Sequence, residues 1–250
     1  MSERRDNLYR AKLADQAKRY ADMAEAMKKT VKMGEELTVE ERHLLSAAFK
    51  NQIGKLRSSW RVVNSIQRKE EAAGNVENLA AIRTYREQLE NELGDVCMSV
   101  LDLVHTHLVL EDTDNENKVF YSKMQADYCR YLAEFTTGPE LKEASKKAQA
   151  SYNRAWQLAT DLPPTHPLRL GLALNFSVFH YEIMHSIEQA IALARSAFDS
   201  ALGDLDKLSE ENYKDSTLIM QLLRDNLTLW MAAKQTVRNI DDDGAPENQN

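Results

Sequence analysis

The chain is predicted to be all-α, a bundle of about nine antiparallel helices forming an amphipathic groove and ending in a flexible acidic C-terminal tail. Gly (8) and Pro (5) are scarce in 250 residues, so few breakers interrupt the chain. Ala, Leu, Glu, Lys, Gln and Met are plentiful, and these residues have the best intrinsic helix propensity. Apolar residues recur every three or four positions over long stretches, the period of an amphipathic helix.

The breakers place the elements in order. Residues 3–15 form the first helical stretch, and residues 18–33 the second, stopped by Gly34. Thr38 opens the third, with Glu41 completing a capping box, and nothing interrupts it before Glu70 or Glu71. Thirty-odd residues at ~1.5 Å each make a rod of roughly 50 Å. After Gly74-Asn75 comes a fourth stretch, 76–107. The fifth, 117–135, is stopped by Gly138-Pro139, and the sixth, 140–161, by Pro163-Pro164. The last three cover 167–185, 187–202 and 212–234. Short links favour antiparallel packing of sequence neighbours. No fixed-period repeat stands out, which argues against a tetratricopeptide array. Residues 1–234 are expected to form a single all-helical domain. Residues 235–250, with Asp241-Asp242-Asp243, Gly244, Pro246 and terminal amides, are expected to be a disordered acidic tail.

Composition excludes several functions. A formal net charge of −7 argues against nucleic acid as a partner, since phosphate backbones are held by broad basic surfaces. No apolar run approaches the ~20 residues needed to span a bilayer, so no membrane role is implied. The charged amino end is no signal peptide, so Cys97 and Cys129 are expected as buried reduced thiols and the location as cytoplasmic. There is no P-loop, glycine elbow or zinc-type cysteine pair. No catalytic residue and no cofactor is nominated. Glu-x-x-His occurs at Glu40 to His43 and at Glu182 to His185, and two such pairs with further carboxylates can build a di-iron centre in a helix bundle. That enzyme reading remains a weak alternative, because Glu40 and His43 fall in a first helical turn and His185 in a last one.

Two apolar stripes carry an amide each. Leu174, Asn175, Val178 and Glu182 fall on neighbouring faces of one helix, and Leu218, Ile219, Leu222, Asn226, Leu229 and Trp230 on those of another. Such stripes ordinarily pack a core. An amide among them suits pairing with the main chain of an extended peptide, and two stripes could wall one groove. A third row is basic: Lys50 and Arg57, two turns apart on the long third helix, with Arg61 beyond. Taken alone, it reads as a solvated face.

Arg57-Ser58-Ser59-Trp60-Arg61, Lys118-Val119-Phe120-Tyr121, Asp127-Tyr128 with Arg130-Tyr131-Leu132-Ala133-Glu134, the run from Pro163 to Phe179 and the run from Tyr213 to Trp230 together resemble the 14-3-3 family over roughly residues 3–232. Asp6 and Ala133-Glu134-Phe135-Thr136-Thr137-Gly138 are most similar to its epsilon type. The resemblance implies an adaptor that binds phosphoserine or phosphothreonine segments of client proteins and does no chemistry. Lys50, Arg57, Arg130 and Tyr131 match the family's phosphate-holding residues. Guanidinium forks, an ammonium and a phenol suit a phosphate dianion. Asn175 and Asn226 match its peptide-backbone amides, with Glu182 and Trp230 beside them and Lys123 near the phosphate end. Leu174, Val178, Leu218, Ile219, Leu222 and Leu229 match its apolar wall. A helical scaffold that binds clients without phosphate remains a further alternative.

The resemblance also implies a dimer, the first helices of one subunit packing on the third and fourth of the other, with Leu13 and Tyr85 at apolar interface positions. Arg19 and Glu92 keep one intersubunit ion pair. The lysine expected opposite Asp22 is Gln88, and the one opposite Asp6 is Glu77. A homodimer thinned in this way makes a heterodimer with a related chain plausible. Ser59 matches a serine whose phosphorylation opposes dimerisation, but Leu56 replaces the arginine three residues before it. Ser186 precedes Ile187 rather than proline, and His180 replaces a tyrosine.

Overall fold

A computed structural model describes residues 3–109, 113–208 and 210–243. Among them are nine α-helices and no strand: α1 Glu3–Gln16, α2 Tyr20–Val31, α3 Val39–Ala73, α4 Leu79–Leu103, α5 Asn115–Phe135, α6 Gly138–Leu158, α7 Pro167–Glu182, α8 Ile187–Gly203 and α9 Glu210–Asp243. The chain divides into two compact units. One comprises Met1–Thr113 and Tyr131–Ala144, the other Asp114–Arg130 and Ser145–Asn250. The division falls within α5 and within α6, each of which therefore contributes to both.

In the first unit α2 packs on α1 and α3, and α3 on α4. Met23, Met27, Leu45, Phe49, Ile53 and Leu93 are all but inaccessible to water. The capping box expected at the start of α3 is present: Thr38 Oγ1 accepts from Glu41 N at 3.3 Å, and Glu41 Oε2 accepts from Thr38 N at 2.8 Å. The same carboxylate takes a forked pair from Arg4 on α1, at 3.0 and 2.8 Å. One side chain thus caps α3 and anchors α1 to it. Gly74 closes α3 in the left-handed region, φ +72°, its N–H reaching the carbonyls of Glu70 and Glu71. A residue with a Cβ would be strained there. The expected fourth stretch begins later, at Leu79, and its last turn, Val104–Leu108, is a π-helix.

The second unit holds α7 to α9 and most of α5 and α6. Helices α7, α8 and α9 share a core in which Leu170, Ala190, Ala194, Leu223 and Trp230 are buried. The small alanines of α8 let its neighbours approach closely. Ser216 Oγ on α9 donates to Thr165 O at 2.6 Å, tying α9 to the segment that starts α7. Helix α7 ends at Glu182, earlier than expected, because the chain turns through His185 at φ +51° and Ser186 N returns to His180 O at 2.9 Å. Helix α9 continues to Asp243, beyond the expected end at Lys234, since no Gly or Pro intervenes before Gly244. The remainder of the expected tail, residues 244–250, lies outside the described residues. Both cysteines are buried free thiols, and burial pushes Cys129 up to about 11.

His180, which stands where the resemblance implies tyrosine, lies on Phe176 and Phe179 with ring centroids 4.7 and 5.7 Å apart. Its Nδ1 is buried without a hydrogen-bond partner. Burial lowers its pKa, and burial likewise lowers that of His166, whose Nδ1 accepts from Leu168 N to cap α7. A base whose folded pKa is depressed contributes stability that is complete above its unfolded value, near 6.5, and is lost as pH falls through the folded value. The denaturation midpoint should therefore drop between pH 7.5 and pH 5.5. His180→Phe, which keeps an aromatic ring and cannot titrate, should make that drop smaller. An equal drop in the variant would remove His180 from the account.

Candidate functional site

The basic row of α3 meets one carboxylate in the first unit. Arg57 donates from Nε and Nη2 to Glu134 at 2.8 and 2.6 Å, and its guanidinium lies over the Tyr131 ring, 4.2 Å from the centroid. Arg61 reaches the same carboxylate at 3.6 Å. Tyr131 and Glu134 are three apart on α5, so one face of that helix offers both the aromatic seat and the counter-ion. Lys50 is exposed and forms no ion pair among the described residues. Arg57 and Arg61 therefore share Glu134 while Lys50 has no ion pair among the described residues, leaving an excess of two positive charges along this row.

The second unit holds the other half of the sequence-derived set. Asp127 of α5 is buried and collects four partners. Lys123 Nζ donates to Oδ2 at 2.8 Å, Tyr152 Oη to Oδ1 at 2.5 Å, and Asn175 Nδ2 lies 2.9 Å from both oxygens. Arg130 is 3.6 Å from Oδ1 and donates from Nε to the Tyr152 hydroxyl at 3.0 Å. Burial alone would raise the carboxyl pKa, but the charges of Lys123 and Arg130 and the two hydrogen bonds hold it below the ordinary value. Burial pushes the Tyr152 phenol well up, so it stays a donor to Asp127. The ring of Tyr152 stacks on Phe176 of α7 at 5.0 Å.

The apolar positions separate into two depths. Leu174, Val178 and Ile219 are half-buried against the shared core, whereas Leu218, Leu222 and Leu229 stand on α9 with 59, 43 and 67 % of their surface exposed. Trp230 is buried and stacks under Tyr181 at 5.1 Å. Asn226, half-buried, has no hydrogen bond among the described residues. The Lys123 stem passes over α7, its Cε 3.7 Å from where a Cβ on Gly171 would lie, with Ile219 Cδ1 3.9 Å from that same point. Lys123, α7 and α9 therefore meet at one end of this surface. Glu182 is exposed in the last turn of α7.

The metal alternative loses its geometry. His185 lies past the end of α7 and shares no helical face with Glu182, and no three His, Cys, Asp or Glu side chains converge as metal ligands among the described residues. No helix among them is long and apolar enough to cross a membrane.

The family model for 14-3-3 proteins matches residues 10–231, passing through both units. The chain belongs to the 14-3-3 family. It is 56 % identical to 14-3-3 protein epsilon of Drosophila melanogaster, over all of this chain and 96 % of that one. A 14-3-3-like protein of Chlamydomonas reinhardtii is also 56 % identical, over 96 % of this chain and 94 % of its own. The rice 14-3-3-like protein GF14-E is 55 % identical, over 98 and 92 %. Members of this family are adaptors without enzymatic activity, and this 14-3-3 chain is such an adaptor.

The expected dimer residues are placed within one chain. Leu13 and Tyr85 are exposed by 48 and 52 %, together with Tyr9, Val62 and Ile66. Arg19 pairs with Asp22 one turn on along α2, and Gln88 donates to Glu92 at 2.9 Å along α4. Glu77 sits in the turn before α4 rather than on a helix.

Sequence reasoning passed over Asp127, Glu134 and Tyr152, because a search for phosphate ligands looks for cations. Spacing carried a signal for the first two. Lys123, Asp127, Arg130, Tyr131 and Glu134 stand at i, i+4, i+7, i+8 and i+11, one face of α5 with alternating charge. Glu134→Gln should keep helix content by circular dichroism and lower unfolding free energy by about 1.5–3 kcal/mol, the range for a hydrogen bond to a charged group. A urea midpoint equal to wild type would mean that the fork contributes nothing to stability.

Proposed function

We propose that this 14-3-3 chain binds phosphoserine- or phosphothreonine-bearing segments of client proteins, with Lys50, Arg57, Arg130 and Tyr131 holding the phosphate. The observation that carries the reading is the pairing of exposed leucines on α9 with amides that have unused capacity. Leu218, Leu222 and Leu229 face water while Asn226 is unpartnered, and Asn175 has an unused carbonyl oxygen. An extended peptide satisfies both kinds of surface at once, its side chains on the leucines and its main chain on the amides. The excess positive charge along Lys50, Arg57 and Arg61 supports a dianion rather than a carboxylate. Lys123, Leu174, Val178, Ile219, Glu182 and Trp230 complete the proposed peptide surface. The family match through both units supports treating residues 1–234 as one functional domain.

The adaptor acts as a dimer in this reading, through α1 and α2 of one copy against α3 and α4 of the other, homotypic or with a related 14-3-3 chain. Exposed Tyr9, Leu13, Val62, Ile66 and Tyr85 support it as apolar surface in want of cover. Two grooves held together raise avidity for doubly phosphorylated clients through effective concentration. The reduced thiols support a cytoplasmic setting.

Titration of a fluorescent phosphopeptide and its unphosphorylated twin tests the reading. Only the phosphorylated form should bind. Arg57→Ala and Arg130→Ala should each weaken it by about 2 kcal/mol, roughly 30-fold, since each removes a charge-assisted hydrogen bond. Lys50→Glu should be worse than Lys50→Ala, because it adds repulsion to lost attraction. Affinity within twofold of wild type in all of these would sink the phosphate assignment, and equal binding of the unphosphorylated peptide would favour the phosphate-independent scaffold.

Sedimentation equilibrium tests the dimer. Gln88→Lys should tighten self-association a few-fold by giving Asp22 of a second copy a cation, while Arg19→Glu should loosen it by facing Glu92 with like charge. The gain from Gln88→Lys should shrink at high salt. A self-association constant that responds to neither substitution would make these charges incidental.

A further inference from the structure

We propose that Met231 is a site of reversible oxidation by peroxide, and that the Arg195 guanidinium holds its sulfoxide so that the modification tightens α8 on α9. The observation behind this is a mismatch of partners. Arg195 Nη2 on α8 donates to Met231 Sδ on α9 at 3.0 Å. A thioether sulfur is a weak acceptor, whereas a guanidinium is a permanent cation with five donors. Arg195 forms no ion pair among the described residues, so its charge faces a neutral sulfur. A sulfoxide oxygen is strongly polar and suits that cation far better.

The oxidant has access to this residue. Among the described methionines Met98, Met184 and Met231 are exposed, while Met23, Met27, Met124 and Met220 are buried. Of the three exposed ones only Met231 receives a hydrogen bond among the described residues. Both cysteines are buried, and burial pushes the Cys129 thiol up to about 11, so little thiolate competes for the oxidant. The sulfur lone pair that Arg195 does not engage attacks one peroxide oxygen. The S–O bond forms as the O–O bond breaks, and the sulfur gives up two electrons. With hydrogen peroxide, the departing oxygen takes the proton of the transferred one and leaves as water. Two-electron reduction by a methionine sulfoxide reductase reverses the change.

Oxidising a methionine inside a core is disruptive, because it sets a dipole among apolar neighbours. At Met231 the new oxygen is bonded to the atom that Arg195 already touches, and both side chains are exposed. A weak N–H···S contact is thereby replaced by a charge-assisted N–H···O bond. The bond extends an existing seam between the two helices. Lys234 Nζ of α9 reaches Glu188 of α8 at 3.1 Å. Ala194 and Trp230, the residues just before Arg195 and Met231, are buried in the core shared by α7, α8 and α9. Neither α8 nor α9 belongs to the surface proposed for dimerisation, so the effect is read on the fold of the chain itself.

Hydrogen peroxide and urea test it. In the full chain, Met98→Leu and Met184→Leu leave Met231 as the one exposed methionine among the described residues. This parent is treated with dilute hydrogen peroxide, mapped by peptide mass spectrometry and unfolded in urea at a fixed protein concentration. Met231 should gain one oxygen, and the urea midpoint should rise by roughly 0.5 M, the gain of a charge-assisted hydrogen bond divided by the usual urea slope. A methionine sulfoxide reductase should return the midpoint to its starting value. Met231→Leu in the same background should show no rise, and Arg195→Leu none or a fall. Arg195→Gln keeps a donor without the charge and should show about half the rise. An unmodified Met231, a midpoint that does not rise on oxidation, or an equal rise in Met231→Leu or Arg195→Leu overturns the proposal. Where Arg195→Leu does not fold, Arg195→Gln decides, and a rise as large as the parent's overturns it.

Discussion

One charged face of α5 sets the terms for the rest. In the proposed reading the surface that holds a dianion must gather cations, and gathered cations repel each other until a ligand arrives. Helix α5 meets this by placing a carboxylate on each side of Arg130 and Tyr131, two turns apart. Glu134 takes the fork of Arg57, and Asp127 takes Lys123 and Arg130. Each carboxylate offsets part of the positive charge without cancelling it. The guanidinium groups are held in place before any ligand is present, which reduces the ordering cost of binding.

Helix α9 solves the corresponding apolar problem by having two faces. Met220, Leu223, Leu227 and Trp230 close the core with α7 and α8, while Leu218, Leu222 and Leu229 remain in water. The buried face fixes the helix, and the exposed face then costs apolar surface that a client can cover. Ser216, bonded to Thr165 O, locks the start of α9 to the segment before α7, so the amides of the two helices keep a defined spacing.

Much of this was legible in the residues. The Thr38 and Glu41 capping box and the Gly74 stop are local devices, decided by neighbours in sequence, and they appear as read. Boundaries that depend on packing were less accessible. The early end of α7 comes from a non-glycine residue adopting a left-handed turn, which no propensity anticipates, and the π turn after Leu103 leaves no compositional trace. The site was half legible for a related reason. Cations and amides advertise themselves by type and Asp127 left a trace in its spacing from Lys123 and Arg130, whereas Tyr152 matters through residues distant in sequence, 25 and 22 positions away in the bonds it forms.

The left-handed residues that end α1 and α7 also have a practical meaning. Lys18 at φ +57° and His185 at φ +51° pay the steric penalty that glycine avoids at such positions, about 1–2 kcal/mol. Both lie in connections between helices. Evolution has left there a reserve of stability that protein engineers can draw on, partly offset by the freedom that glycine gives the unfolded chain. Variants that weaken the core or the groove could be studied in such a reinforced background.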